Sequence, residues 1–190
     1  AMGVDGVLGI YTSTDITELG TIQCMAPIQQ ADGSALKAPP YPILATEKAV
    51  YVGQPVAFVV AETVSAAKAA AELIEVDYDA HPAIVDTAGA NDAGAPQLWN
   101  DIPENTSFVW RDGDHAATAT AMADAPRKAA LRVVNNRLIV ASIEPRIAIG
   151  EWDGTRFTLT TTSQGPHSLR LQLAEHLFKL PEDAFRVVTH

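Results

Sequence analysis

Cysteine is the scarcest reactive residue in this chain, which has 190 residues and one cysteine, Cys24. A single thiol excludes an internal disulfide, and it excludes a thiolate-ligated zinc or iron–sulfur centre assembled within the chain. Free cysteine usually behaves as a small hydrophobic side chain. We therefore interpret Cys24 as a buried or incidental thiol with no chemical role.

Long apolar runs and clusters of basic residues are also lacking. No apolar stretch approaches the roughly 18 residues that a membrane-spanning helix needs, and the first residues lack the features of a signal peptide. The 13 Lys and Arg residues stand against 23 Asp and Glu, for a formal net charge of -10. Because no stripe of Lys and Arg occurs, we expect neither nucleic acid nor a membrane as partner.

The motifs of the common enzyme classes are absent, since no Gly-x-Gly-x-x-Gly, P-loop, Gly-x-Ser-x-Gly or His-Glu-x-x-His pattern occurs. A hydrolase is disfavoured because Ser142, Ser163 and Ser168 have no base beside them in the sequence. Five histidines occur without the spacing of metal ligands, and these are His81, His115, His167, His176 and His190. We therefore expect no metal ion bound directly by this chain.

Hydrophobic residues, by contrast, make up 47% of the chain, and their order in the first part predicts strands around a helix. Residues 6–12 and 56–61 are apolar, β-branched runs typical of strands, and the second is expected to be buried on both faces. The alanine-rich stretch 66–73 predicts a helix with Thr63 or Ser65 as its N-cap.

A third strand is predicted where residues 74–78 alternate apolar and acidic side chains. With the preceding strand and helix it would complete a β-α-β unit. The prolines between residues 28 and 42 predict a loop, because proline fixes φ and lacks a backbone donor. Residues 87–128 are rich in Ala, Gly, Asp and Thr and lose periodicity, so they are interpreted as a linker.

Order returns in the last third of the sequence. Residues 131–134, 138–140 and 147–149 are aliphatic runs that predict strands, and the dipeptide Asp153-Gly154 predicts a tight turn before another strand at 157–160. Two of these strands are expected to form a hairpin.

Leucines recur at helical spacing after this hairpin, at Leu169, Leu173 and Leu177, and predict a helix over residues 166–178. Residues 185–188 predict a final strand with no partner strand near it in the sequence, from which we expect the chain to be a piece of a longer protein.

The turn between the strand at 157–160 and this helix carries the most interesting polar side chains. A helix N-terminus has unpaired backbone N–H groups, so the turn over residues 161–167 can hold an anionic or oxo-bearing ligand. The amide of Gln164 offers two donors and one acceptor without adding charge. From the residues alone, the simpler interpretation is that Ser163 or Gln164 caps the helix.

Several motifs, in order, resemble the molybdenum hydroxylases, the family of xanthine dehydrogenase, aldehyde oxidase and carbon monoxide dehydrogenase. The first group resembles the a/b hammerhead domain and comprises PILA at 42–45, VYVGQPVA at 50–57, VVAE at 59–62, IEVDY at 74–78 and PAIVD at 82–86. The second resembles the entry to the first molybdopterin-binding domain and comprises VNNRL at 134–138, IEPR at 143–146 and TSQGPH at 162–167.

The resemblance implies an α+β fold, with an N-terminally incomplete a/b hammerhead domain over residues 1–86 and a linker over 87–128. The start of an α/β molybdopterin-binding domain would follow over 129–190. It also implies a subunit that holds molybdenum on molybdopterin, in the cytosine dinucleotide form if the source is bacterial. Such a subunit would oxidise an aldehyde, an N-heterocycle or carbon monoxide, with water as the oxygen source.

Site residues follow from the same resemblance. In this family the glutamine of the turn hydrogen-bonds an oxo ligand of molybdenum, which falls on Gln164, with Ser163 and Gly165 beside it as cofactor-binding residues. Glu144 and Arg146 become candidates for the substrate side, although an ion pair that only fixes their loop is an equal alternative.

The family's glycine-rich loop and general-base glutamate would lie downstream, so no catalytic residue is expected within this chain. Alone, it is expected neither to retain the cofactor nor to be active. The resemblance implies [2Fe-2S] and FAD subunits or domains as partners, a small-molecule substrate, a heteromer that dimerises, and a cytoplasmic location. The alternative is a non-catalytic ligand-binding or interaction module derived from the hammerhead fold.

Overall fold

A computed structural model describes residues 1–136 and 138–189 of the chain. Arg137 of the VNNRL motif and His190 lie outside the described residues. Two small sheets and several short helices make the fold α+β, which confirms the predicted class. One sheet lies in the first part of the chain and the other lies at its end.

The first sheet pairs two strands that are 47 residues apart in sequence. Strand β1, Val7–Tyr11, runs antiparallel to β2, Phe58–Ala61, with a register shift between Val7 and Gly9. Helix α1, Val64–Glu72, follows β2 and packs against it, and Ala70 is its buried residue. Thr63 is the N-cap, because its hydroxyl accepts a hydrogen bond from the N–H of Ala66 at 3.1 Å.

The predicted β-α-β unit is wrong. Residues 74–78 form no strand, and β2 pairs with β1 instead. The alternation at 74–78 lacks a neighbouring strand to accept its backbone hydrogen bonds within the described residues, and Tyr78 is exposed. The prediction that β2 is buried on both faces is also wrong, because Phe58 is 59% exposed and a two-stranded sheet covers little surface. Cys24, expected to be buried or incidental, is exposed.

The stretch interpreted as a linker contains regular structure. A 3-10 helix spans Pro103–Asn105, and α2 spans His115–Asp124 with the Asp114 carboxylate accepting from Ala117 N–H at 2.8 Å. The Asn105 side chain bonds the Leu98 N–H and the carbonyl oxygens of Ala90 and Pro96 at 2.8 to 2.9 Å. One amide therefore fixes this loop, since its donors and acceptor replace hydrogen bonds that a helix or sheet would supply.

The second sheet has the order β3-β4-β5. Strand β3, Ala148–Trp152, and β4, Phe157–Thr161, form the predicted antiparallel hairpin. Its turn contains Gly154 at φ +98°, a conformation that favours glycine. Strand β5, Phe185–Val188, pairs in parallel with β4. The strand that seemed to have no partner thus finds one 24 residues upstream, across a helical connection.

That connection is one continuous helical element. Helix α3, Pro166–Leu171, passes directly into a π-helix, Gln172–Phe178, which confirms the predicted span but not a uniform helix type. The element packs on the sheet with Ala174 and Leu177 buried. Four aromatic rings cluster in this region around the buried Phe185, with the centroids of contacting rings 4.3 to 5.5 Å apart, and the others are the half-buried Phe157 and Phe178 and the exposed Trp152.

The predicted strands at 131–134 and 138–140 are wrong, because these residues form no regular structure. Their aliphatic side chains, from Leu131 to Ile143, are 69 to 103% exposed. The whole chain exposes 15225 Å², whereas a monomeric protein of this mass exposes about 8,800 Å². Without a partner strand, an aliphatic run cannot satisfy its backbone or bury its side chains.

Candidate functional site

The turn that carries Gln164 lies between the end of β4 and the start of α3. Gly165 is the N-cap residue of α3, and Pro166 occupies the first helical turn, where its missing N–H costs nothing. No side chain forms a cap hydrogen bond with α3. Ser163 and Gln164 therefore do not cap the helix, which was the simpler interpretation of the sequence.

Ser163 holds the turn in place. Its hydroxyl oxygen accepts from the N–H of Gly165 at 3.1 Å. Its backbone N–H donates to the hydroxyl of Thr189 at 3.2 Å, and that hydroxyl lies 3.3 Å from the Ser163 carbonyl oxygen, to which it donates. Because Thr189 directly follows β5, the turn is fastened to the neighbouring parallel strand. The Gly165 N–H is already bound to Ser163 and is not open to a ligand.

Unlike Ser163 and Gly165, Gln164 makes no hydrogen bond that holds the turn together among the described residues. Its side chain is exposed, and the amide has no hydrogen-bond partner among residues 1–136 and 138–189. Two N–H donors and one carbonyl acceptor are therefore available at the mouth of a turn that Ser163 keeps rigid. An uncharged double donor fits an oxo group on a metal, because it stabilises partial negative charge without adding a counter-charge.

Glu144 lies close to the same turn. Its carboxylate accepts from the hydroxyl of Thr162 at 2.9 Å, and Thr161 donates to the carbonyl oxygen of Ile147 at 2.8 Å. Glu144 and Arg146 form no ion pair in the described part of the chain, where the one ion pair joins Arg170 and Glu182. The loop is thus held by the threonines that end β4. The structure brings Glu144 to the turn, while Arg146 is exposed in the same loop.

Thr162 and Thr189 are the residues that the sequence did not single out. Thr162 lies 18 positions from Glu144, and Thr189 lies 26 positions from Ser163. Their roles depend on the pairing of β4 with β3 and β5, which brings distant segments to one end of the sheet. A parallel pairing across a helix is the signal that would have located Thr189.

No group of three or more His, Cys, Asp or Glu side chains could hold a metal ion within the described ranges. None of the helices described for this chain combines the length and apolarity that crossing a bilayer demands.

Two family patterns cover most of the chain. The pattern described as "Aldehyde oxidase and xanthine dehydrogenase, a/b hammerhead domain" matches residues 1–82. The pattern described as "Molybdopterin cofactor-binding domain" matches residues 98–190, which begins inside the stretch interpreted as a linker. The Gln164 turn, Glu144 and the second sheet all fall in the second match.

Individual proteins agree with these patterns. The carbon monoxide dehydrogenase large chain of Hydrogenophaga pseudoflava is 30% identical over 203 residues, covering 100% of this chain and 24% of the relative. Quinoline 2-oxidoreductase from Pseudomonas putida 86 superposes with a TM-score of 0.76 at 23% identity, over 99% of this chain and 23% of the other. Aldehyde oxidoreductase from Desulfovibrio gigas superposes with a TM-score of 0.74 at 25% identity, over 100% and 20%.

The chain thus spans about a quarter of the length of the relatives it matches. The order of the two patterns is the one in which the hammerhead and cofactor-binding motifs were found in the sequence. With both patterns in place, the chain belongs to the family of molybdopterin-binding large subunits of the molybdenum hydroxylases, which includes aldehyde oxidase, xanthine dehydrogenase and carbon monoxide dehydrogenase.

Proposed function

We propose that this chain forms the part of a molybdenum hydroxylase large subunit that presents Gln164 to a molybdenum–molybdopterin cofactor. One observation carries the proposal, namely the unpartnered amide of Gln164 among described residues, on a turn that Ser163 and Thr189 immobilise. The hydrogen bonds that the Gln164 amide makes to water contribute no folding energy, so this side chain adds little to stability. Its amide therefore suits the binding of an external ligand.

The roles of the turn residues follow from their contacts. The Gln164 amide would donate a hydrogen bond to an oxo ligand and hold it in one orientation. Ser163 would position Gln164 through its bonds to Gly165 and Thr189 rather than touch the ligand with its acceptor. Gly165 would allow the backbone to pass close to the cofactor, since it has no side chain.

Glu144 is proposed to face the substrate side of the cofactor. Its carboxylate is held by Thr162 next to Gln164, so a substrate approaching the oxo ligand would meet it. Arg146 is proposed as a second, more distant member of this side, with a charge that suits an electron-rich substrate. When bound, the molybdenum cofactor would supply the oxygen-transfer and electron-accepting chemistry.

For the complete subunit we propose oxidation of an aldehyde, an N-heterocycle or carbon monoxide with oxygen from water. The general-base glutamate would lie in a part of the subunit outside this chain. We further propose the cytosine dinucleotide form of the cofactor, partners that carry [2Fe-2S] clusters and FAD, a dimer of the heteromer, and a cytoplasmic location. We also propose a division of the chain into three parts. These are an a/b hammerhead domain at 1–86, a linker at 87–128 and the start of the molybdopterin-binding domain at 129–190.

The test compares Gln164→Ala with the wild type in the complete subunit that contains this chain. Loss of a hydrogen bond to a charged ligand should lower kcat by about 10- to 100-fold, because such bonds contribute roughly 1.5–3 kcal/mol. The molybdenum content per subunit, measured by mass spectrometry of the metal, should stay near the wild-type value.

Gln97→Ala is the matched control, because the Gln97 side chain donates to the nearby carbonyl oxygens of Trp99 and Asn100 and has no other partner among the residues that the structure describes. It should leave kcat unchanged. An unaltered kcat in Gln164→Ala would show that Gln164 does not bind the cofactor. A complete wild-type subunit that contains no molybdenum would overturn the enzyme proposal and leave a non-catalytic interaction module.

A further inference from the structure

A short segment from the first part of the chain lies along the π-helix, with contacts from Gln172 at its start to Lys179 just after its end. The backbone N–H of Gln23 donates to the side-chain oxygen of Gln172 at 3.0 Å, and the side-chain nitrogen of Gln172 donates back to the Gln23 carbonyl at 2.9 Å. The Gln172 amide thus pairs with a backbone unit 149 positions away as a β-strand neighbour would. Residues 18–23 are called the docking segment below.

The docking segment approaches the helix more closely than a residue with a side chain allows. The N–H of Gly20 donates to the carbonyl oxygen of Leu177 at 2.7 Å. A β-carbon added at Gly20 would overlap the carbonyl oxygen of His176. Glycine at this position therefore serves the close approach of two backbones. The Lys179 ammonium adds a contact to the carbonyl oxygen of Glu18 at 3.3 Å.

The position of Leu177 in the last turn of the helical element explains why the segment finds a free acceptor there. A π-helix is wider than an α-helix and is rare, and single turns of it occur frequently at functional sites. The element ends at Phe178, the following residue Lys179 has φ +55°, and the Leu180 N–H donates to the Ala174 carbonyl. The Leu177 carbonyl near this end is left for the docking segment to satisfy.

We propose that Gln172 is a positioning residue for Gln164. The element from Pro166 to Phe178 is tied at its near end by the Ser163–Thr189 contacts, at its middle by the bonds between Gln172 and Gln23, and at its far end by the bond from Gly20 to Leu177. A helix held at both ends cannot slide or tilt, so the turn at its start keeps one position. This inference rests on the proposed role of Gln164 toward the cofactor.

The test uses the complete subunit with Gln172→Leu, which keeps the size of the side chain and removes both hydrogen bonds. Hydrogen exchange of the backbone amides at 164–171 should accelerate by about tenfold, the factor expected for a loss of roughly one net hydrogen bond. The Mo(V) electron paramagnetic resonance spectrum should shift in the same direction as in Gln164→Ala.

Two further variants make the result specific. Gln172→Glu keeps the acceptor for the Gln23 N–H and loses the donor, so it should give a smaller acceleration and a partly restored spectrum. Gln97→Leu is the same change at a glutamine outside this contact and should resemble the wild type in both measurements. If Gln172→Leu does not yield folded protein, the Gln172→Glu result decides in its place.

Unchanged exchange at 164–171, or a change confined to the docking segment, would overturn the positioning role. Failure of this inference can be told apart from failure of the proposed function. If Gln164 does not bind the cofactor, Gln164→Ala leaves the Mo(V) spectrum unaltered, while the exchange rates still show whether the bonds between Gln172 and Gln23 hold the helix. Faster exchange with a wild-type Mo(V) spectrum in Gln172→Leu, beside an altered spectrum in Gln164→Ala, would reduce Gln172 to a purely structural residue and overturn the inference.

Discussion

The stretch from residue 129 to 147 and the region from 148 to 189 have similar aliphatic sequences and opposite structures. In the second, β4 pairs with β3 and with β5, and the helical element packs on this sheet with its own Leu177 and Phe185 of β5 buried. In the first, the side chains of Ile139 and Ile143 are 94% and 103% exposed, and no strand forms over its described residues, 129–136 and 138–147.

The difference shows that the partner, and not the run itself, decides whether an aliphatic run becomes a strand. Strands 148–152 and 157–161 find each other across a four-residue turn, and β5 joins them through one helical connection. The 129–147 stretch has no such neighbour in the described part of the chain. Its exposed apolar surface suits burial against other parts of the subunit, since patches of this kind mark interaction sites.

The largest expected effect is in the core of the 148–189 region. Phe185→Ala removes a ring that is 6% exposed and contacts both Phe157 and Phe178. We expect a loss of about 3–5 kcal/mol in the free energy of unfolding, from lost transfer energy and the cavity left behind. Urea denaturation of the 190-residue chain, followed by tryptophan fluorescence, measures it. Phe58→Ala, at an exposed ring, should cost far less, and equal losses would contradict the contrast between buried and exposed runs.

A smaller effect is expected at the turn that lets this region pair. The Asp153 carboxylate accepts from the N–H groups of Thr155 and Arg156 and from the Thr155 hydroxyl, each at 2.8 Å. The backbone N–H groups of Thr155 and Arg156, and then that hydroxyl, lower the pKa of Asp153 below its ordinary value of 3.8. Asp153→Ala should therefore lower the melting temperature at pH 7.

The sign of the pH effect follows from the lowered pKa. The stabilisation is fully present above pH 3.8 and is lost as the pH falls through the still lower pKa of the folded state. The gap in melting temperature between the wild type and Asp153→Ala should therefore shrink in acid. Asp153→Asn retains an acceptor oxygen without a charge and should show less dependence on pH. A gap that widens in acid would show that the carboxylate does not stabilise the turn.

The smallest effect is expected in the exposed stretch. Ile143→Asp should change the free energy of unfolding of the 190-residue chain by less than about 0.5 kcal/mol, because surface substitutions lose no packing. The same urea denaturation measures it. A loss comparable with that of Phe185→Ala would mean that the 129–147 stretch is buried in solution. In the complete subunit, the soluble yield of Ile143→Asp should fall if this stretch is covered there.

Local signals in the sequence predicted local structure well. Asp153-Gly154 located the hairpin, the leucine spacing located the helix over 166–178, and Thr63 was among the predicted caps of α1. Each of these depends on residues within a few positions of one another. The strand predicted at 74–78 failed because alternation states which side chains face water but not which strand lies alongside.

The site was predictable to a lesser degree. Gln164 was found because it sits in a strand-to-helix turn within a family motif, and its role remains a prediction. The Thr162–Glu144 bond, the Ser163–Thr189 bonds and the Gln23–Gln172 pair join positions 18, 26 and 149 apart. No local pattern encodes such contacts, because they arise only when β4 has been paired on both sides and the helical element has been packed.

The contact between Gly20 and the π-helix can form only after both segments have been synthesised. Ribosomes add about 5–20 residues per second, so the docking segment emerges roughly 7 to 30 seconds before its partner, 149 positions later, is complete. During this interval the Gln23 backbone and the Gly20 N–H have only water to bind. The π-helix, which is made later, therefore sets when residues 18–23 acquire these contacts, and a pause in translation before Gln172 would prolong the interval in which residues 18–23 are open to proteases.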